Sequence, residues 1–189
     1  AGVMSRNVPR RIGTATALRI NHWGRRVFSW FFPGMALYYL PLNPVRQAYP
    51  GVPQSGIRVV LCRPIYGGNI GSVCRAMANM GVSDLVLAGA GDFDRVEARK
   101  MACWAGDLIE ASRAVATLDE ALADCALVFG ATARGGLYRQ HTRSPRDWAP
   151  DILAAARSAR VALLFGPEDD GLSNDDLARG HHLIRIPSS

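Results

Sequence analysis

Two segments of this 189-residue chain repeat one arrangement: an apolar run, a glycine-bearing segment, then an amphipathic stretch. In the first, Ile57–Cys62 leads into Gly67-Gly-Asn-Ile-Gly-Ser-Val-Cys-Arg75 and on to Met80 and Gly81. In the second, Val161–Phe165 leads into Gly166-Pro-Glu-Asp-Asp-Gly171, then Leu172-Ser173 and a stretch starting at Asn174. A short apolar run is a strand buried on both faces, and a helix following each strand implies parallel neighbours. Two such units direct both glycine segments to the carboxyl ends of parallel strands, where ligands of α/β sheets dock. Arg75 follows Asn69 inside the expected helix, on a turn that can face the glycine segment. An arginine so placed offers a planar fork to a phosphate or a nucleic-acid backbone.

The same alternation continues along the chain. Strands are expected at Ile57–Cys62, Asp84–Ala88, Leu127–Ala131, Val161–Phe165 and His182–Ile186. Helices are expected at Ile70–Met80, Asp94–Ala102, Leu118–Ala123, Pro150–Ala156 and Asn174–Arg179. Val73, Ala76, Met77 and Met80 give the first helix one apolar face, with Asn69 as its N-cap; Ser173 or Asn174 caps the last. The expected fold class is α/β, a mostly parallel sheet with helices on both faces.

Residues 1–55 differ. Val3–Arg26 is basic and irregular, Val27–Leu42 is apolar and aromatic, and Asn43–Ser55 is a Pro/Gly-rich linker. Arg25-Arg26 ahead of an apolar run invites a signal peptide or anchor, but Pro33 and Gly34 break a run already short for a membrane span, and no A-x-A-like site follows. The expectation is an N-terminal extension or accessory surface over 1–55, a separate α/β domain over 56–189, no membrane partner and a cytoplasmic location.

Net charge is +6 with a pI of about 9.6, which favours an anionic partner such as RNA over an acidic small molecule. Cys62, Cys74, Cys103 and Cys125 form no CxxC pair, and the histidines show neither HxH nor HxxxH spacing. Free thiols in a reducing compartment, and no metal site, are expected. Neither glycine segment is a nucleotide motif. No Gly-Lys-Ser/Thr completes a Walker pattern, and no GxGxxG is followed by an acid at the second strand. Gly68-x-x-Gly71 alone fits a tight strand–helix turn, a phosphate loop or a KH-type clamp. The glycines at 166 and 171 allow close approach of a ligand, and Glu168, Asp169 and Asp170 can pair with a cation, with Arg75, or merely cap the following helix. A third loop, Gly130-Ala-Thr-Ala-Arg-Gly-Gly136, leaves room for a flat ligand.

Taken in order, Asn69-x-Gly71-x-x-x-Arg75, Gly130-Ala-Thr-Ala-Arg134, Phe165-Gly-Pro-Glu-x-x-Gly-Leu-Ser173 and Ile184-Arg-Ile-Pro187 resemble the SPOUT superfamily. The likeness is to its TrmH/SpoU branch of RNA 2′-O-ribose methyltransferases and, with Thr117–Cys125, to the TrmJ-type subgroup that modifies the tRNA anticodon loop. It covers about residues 57–187.

The resemblance implies a deep α/β knot, S-adenosyl-L-methionine as cofactor, a homodimer, and tRNA or rRNA as substrate. It assigns catalysis to Arg75, with Asn69 and Glu168 at the other polar motif positions. It places cofactor contacts at Ala131, Thr132, Ala133, Gly166 and Ile186. Arg134, Arg139 and Arg143 are expected to bind RNA, on a long polar loop that also carries Tyr138 and His141. The family's third motif, Ser-x-Asn and an apolar helix, is expected after the last strand. The sequence there reads Pro187-Ser-Ser189, which implies an incomplete knot. Two other readings are an RNA-binding relative without turnover and an unrelated flavodoxin-like nucleotide binder.

Overall fold

Residues 56–133 and 142–186 are described by a computed structural model. Its strands are β1 (Ile57–Cys62), β2 (Asp84–Ala88), β3 (Arg113–Val115), β4 (Leu127–Thr132), β5 (Thr142–Arg143), β6 (Val161–Phe165) and β7 (His182–Arg185). Its helices are α1 (Gly67–Met80), α2 (Arg95–Ala102), α3 (Asp107–Ala111), α4 (Leu118–Leu122), α5 (Pro145–Ala155) and α6 (Asn174–Leu177), with a 3-10 turn at Cys103–Ala105. The strands form one seven-stranded sheet in the order β3-β2-β1-β6-β4-β7-β5, and every pairing is parallel.

Alternate residues of each strand feed the two faces. On one face Val59, Leu61, Leu85, Leu87 and Phe129 pack under α1, α2 and α5 through Ile70, Cys74, Met77, Ala98 and Ile152. On the other, Val60, Cys62, Val86, Val128 and Leu164 pack under Leu118 and Ala121 of α4 and under Leu172. The order reverses beside β1, whose neighbours are β2 and β6, so the segments after β1 and β6 meet at a topological switch point.

Several boundaries differ from those expected. Helix α1 begins at Gly67, three residues early, and Asn69 lies inside its first turn; the N-cap is Tyr66, with no capping side chain of its own. Helix α5 begins at Pro145, not Pro150, because a Ser144–Asp147 capping box with proline at the first position starts it sooner. Ser173, not Asn174, caps α6, also through a capping box with Asp176. The short strands β3 and β5 and helix α3 are additional to the expected elements. Residues 1–55 and 187–189 lie outside the described residues, as does the chain that the expected knot would involve beyond Ile186.

Candidate active site

The first glycine segment is a helix built for close packing. A Cβ at Gly67 would stand 2.1 Å from the Asp94 carbonyl oxygen, and one at Gly71 would stand 2.0 Å from that of Ala98. Only hydrogen at these positions lets α1 lie against the backbone of α2, where Ala98 and Ala102 are fully buried. Gly67, Gly71 and Arg75 are spaced at i, i+4 and i+8, so they form one row along α1. The row meets α2 at Asp94, then Ala98, and passes its end at Cys103. There the Arg75 Nη1 lies 3.7 Å from Cys103 Sγ. Arg75 is exposed and has no carboxylate partner among the described residues. Pairing of the acidic loop with Arg75, one of the options open from sequence, is therefore not formed. Arg75 also lies six residues, about 9 Å along the helix axis, past Asn69.

Glu168 instead grips the entrance of α1. Its carboxylate accepts from the Ile65 N–H at 3.0 Å, the Tyr66 N–H at 3.3 Å and Asn69 Nδ2 at 3.1 Å. Burial alone would raise the carboxyl's pKa, but bonds from Asn69 and from the Ile65, Glu168 and Tyr66 N–H groups outweigh it and hold it below the usual range. The orphan amide groups at a helix start need acceptors, and here the acceptor comes from a distant loop. The structure thus joins Asn69 to Glu168 and leaves Arg75 apart.

A second tie fixes the same loop. Arg63 leaves β1 at a φ of 50°, its N–H donating to the Ala88 carbonyl at 2.7 Å. Its guanidinium forks onto Asp176 at 3.1 and 2.6 Å. The Arg63 bond is the main reason the Asp176 carboxyl falls to about 2, against the opposing pull of burial and with help from Ser173. Residues 166–176 are thus held to the β1–α1 connection at both ends.

The expected cofactor positions converge at the carboxyl edge of β6, β4 and β7. Thr132 is buried, Ala133 is exposed, and the Ile186 N–H donates to the Thr132 carbonyl at 3.0 Å. Ala131 and Ile186 line an apolar cavity of about 290 Å³ with Phe129, Phe165 and Ile184. Gly166 lines a neighbouring one of about 370 Å³ with Asn69, Glu168, Leu61 and Met77. Leu163 and Phe165 of β6 border both. The reason for glycine at 166 is not ligand space: a Cβ there would fall 2.3 Å from Gly171 C and Leu172 N, so the loop's own backbone fills it. Gly171, at a φ of 67°, makes the left-handed turn that brings that backbone in.

The model of the SpoU rRNA methylase family matches residues 56–189. The chain belongs to the SpoU rRNA methylase family. This SpoU domain is similar to proteins of several bacteria. It is 41% identical over 133 residues to the tRNA (cytidine/uridine/adenosine-2′-O-)-methyltransferase TrmJ of Pseudomonas aeruginosa, covering 70% of this chain and 52% of that protein. Among solved structures, TrmJ of Z. mobilis superposes with a TM-score of 0.63 at 34% identity, covering 70% of this chain and 59% of that one. A probable methylase family protein of Haemophilus influenzae does so at 0.64 and 33%, covering 71% and 56%. The chain spans about half the length of the curated relatives it matches.

Within this SpoU domain, the expected RNA-binding residues divide. Arg134 and Arg139 lie outside the described residues, as do Tyr138 and His141. Arg143 is on β5 rather than in a loop; its guanidinium stacks 4.6 Å from the Trp148 ring centre and lies 3.7 Å from Asp151. Sequence reasoning missed Arg63, Asp176 and Cys103, the residues that hold the 166–176 loop and dock Arg75. Arg63 directly before Pro64 at a strand exit was the one visible signal.

Proposed function

We propose that the chain carries the methyltransferase domain of a tRNA 2′-O-ribose methyltransferase acting on an anticodon-loop cytidine or uridine, with S-adenosyl-L-methionine as methyl donor. The observation that carries this reading is Arg75: an exposed guanidinium with no carboxylate partner among the described residues, registered by two helix-packing glycines, in a family member similar to TrmJ. Arginine cannot serve as the base, because it does not give up its proton. Its part is a fork on the phosphate beside the target ribose, which orients the 2′-hydroxyl and stabilises the alkoxide that develops on it.

Glu168 is a brace rather than a base. Its oxygens already accept three hydrogen bonds from the α1 entrance, and those bonds keep it ionised and weakly basic. Asn69 donates its amide to Glu168 and keeps its carbonyl oxygen for a ligand. The cofactor set fits an adenosine-sized group: the two cavities are small and apolar, Ala131 adds no bulk, and backbone groups of three neighbouring strands end there. Ala131, Thr132, Ala133, Gly166 and Ile186 would hold it; S-adenosylmethionine supplies the electrophilic methyl carbon when bound.

A homodimer belongs to this reading. Arg75 docks on the α2 side of α1, whereas β4 and β7 lie on the other side of β1, so a second copy is the assembly that sets an Arg75 against a cofactor. A cytoplasmic site of action accords with the RNA substrate. Among the described residues no helix is long and apolar enough to cross a membrane, and no His/Cys/Asp/Glu group could hold a metal ion. The test is methyl transfer from labelled cofactor to an unmodified tRNA, with nuclease digestion and mass spectrometry of the product nucleosides. A 2′-O-methylated cytidine or uridine is expected. Intact cofactor binding with no label in tRNA or rRNA would refute the reading.

A further inference from the structure

An exposed tryptophan directly follows the residue that meets Arg75. Cys103, which docks the guanidinium, opens the 3-10 turn that packs on α1, and the next residue is Trp104. Trp104 is 40% exposed. The contrast with Trp148 is sharp. Trp148 is 8% exposed, donates its indole N–H to the Leu183 carbonyl at 2.9 Å, and packs against Phe129 and His182 under Arg143. Trp104 has no hydrogen-bond acceptor and no ring or cation partner among the described residues. An amphipathic ring with two-fifths of its residue surface open packs partly on the fold and still offers a face suited to binding.

The charges around it point to the occupant. Lys100, in the last turn of α2, is exposed and forms no ion pair among the described residues. Its carbonyl lies 3.7 Å from the same Cys103 Sγ that meets Arg75. Of the acids on this segment, Glu110 is engaged by Arg99 at 2.7 Å and Arg95 at 3.9 Å, while Glu97 and Asp107 are exposed. Two cations without carboxylate partners among the described residues, both linked to Cys103 beside an exposed tryptophan, suit an anionic chain of flat groups.

We propose that Trp104 is a stacking platform for a base of single-stranded RNA, with Lys100 on its backbone, next to the nucleotide whose phosphate Arg75 holds. The proposal rests on the reading of Arg75 given above. A stacked base is worth enough that removing the ring weakens single-strand binding about tenfold. Neutralising Lys100 lowers the salt slope by roughly one ion.

The experiment measures binding of the whole chain to a short oligouridine and to an unmodified tRNA transcript by fluorescence anisotropy. The variants are Trp104→Ala, Trp104→Phe, Lys100→Gln and Arg75→Ala, each with cofactor calorimetry and native mass. Trp104→Ala should bind both RNAs about tenfold more weakly, with cofactor affinity and mass unchanged; Trp104→Phe should restore most of the affinity, because phenylalanine keeps a π-face. Wild-type RNA affinity in Trp104→Ala overturns the proposal, and so does a changed mass with unaltered oligouridine binding, which would make Trp104 a protein contact. Should Arg75→Ala retain methyl transfer while Trp104→Ala still loses RNA, the Arg75 reading fails on its own. Should Arg75→Ala lose transfer while Trp104→Ala binds normally, the platform alone falls.

Discussion

Arg58 and Arg75 sit in adjoining elements and have opposite surroundings. Arg58, near the start of β1, is 4% exposed. Its Nε donates to Asp84 at 2.9 Å, Nη1 to the Ala121 carbonyl at 2.9 Å and to Asp124 at 2.5 Å, and Nη2 to Asp124 at 3.3 Å. Arg160 joins the same two carboxylates. Burial works against the Arg58 charge, but its bonds to Asp124 and Asp84 outweigh that and raise its pKa. Arg75 is exposed and, among the described residues, meets one thiol. A buried guanidinium tied to two carboxylates and a backbone carbonyl serves to hold the fold together. One with no carboxylate among the described residues has its fork open, which is what the proposed role of Arg75 requires. Charge alone does not separate the two; the acids that reach each do.

Four substitutions can break or sharpen that contrast. The largest effect is expected at Arg58. Arg58→Ala removes a buried side chain and leaves the partly exposed Asp84 and Asp124 to Arg160 alone, and should cost about 2–3 kcal/mol of stability. Denaturant unfolding measures it, and a loss under about 1 kcal/mol would put Arg58 among ordinary surface ion pairs. Arg75→Ala should do the reverse. Stability should stay within about 0.5 kcal/mol, as for surface changes. Single-turnover methyl transfer should fall roughly 10²–10³-fold, with cofactor affinity held. Retained transfer would remove Arg75 from the reaction.

Gly71→Ala comes next. The added methyl must displace the Ala98 carbonyl or part the two helices, at roughly 1–3 kcal/mol. Because Arg75 follows on the same row, transfer should fall further than Arg75-independent cofactor binding does. A neutral Gly71→Ala would show that the interface yields easily.

The last substitution is at the loop tie. Asp176 is depressed to about 2, so its contribution is full above the unfolded value near 4 and is lost as pH falls toward 2. Asp176→Asn should cost about 2 kcal/mol at neutral pH and flatten the stability profile across that acid window. Parallel profiles for the two proteins between roughly pH 4 and 2 would show that the Arg63 fork does not set this carboxyl.

All five strands expected from apolar runs are present, displaced by a residue at most, because a strand buried on both faces writes its burial directly into sequence. The family motifs likewise mark Asn69, Arg75 and Glu168 by residue type and order alone. The edge strands β3 and β5 were not legible. Arg113–Val115 and Thr142–Arg143 carry no apolar run, and they are strands only because β2 and β7 offer them a ladder. Nor could local pattern start α1 at Gly67. Asn69 was a sound cap by residue type, yet the acceptors at that helix end belong to Glu168, 99 residues away. The glycines are the clearest case. Their positions were plain, but whether a missing Cβ makes room for a ligand, a neighbouring helix or the loop itself depends on what lies within about 3 Å of it, and sequence does not contain that distance. Composition and motif determined which residues this domain has to work with; the packing of α1 on α2 and of the 166–173 loop on β1 decided which of them are spent on the fold and which remain available.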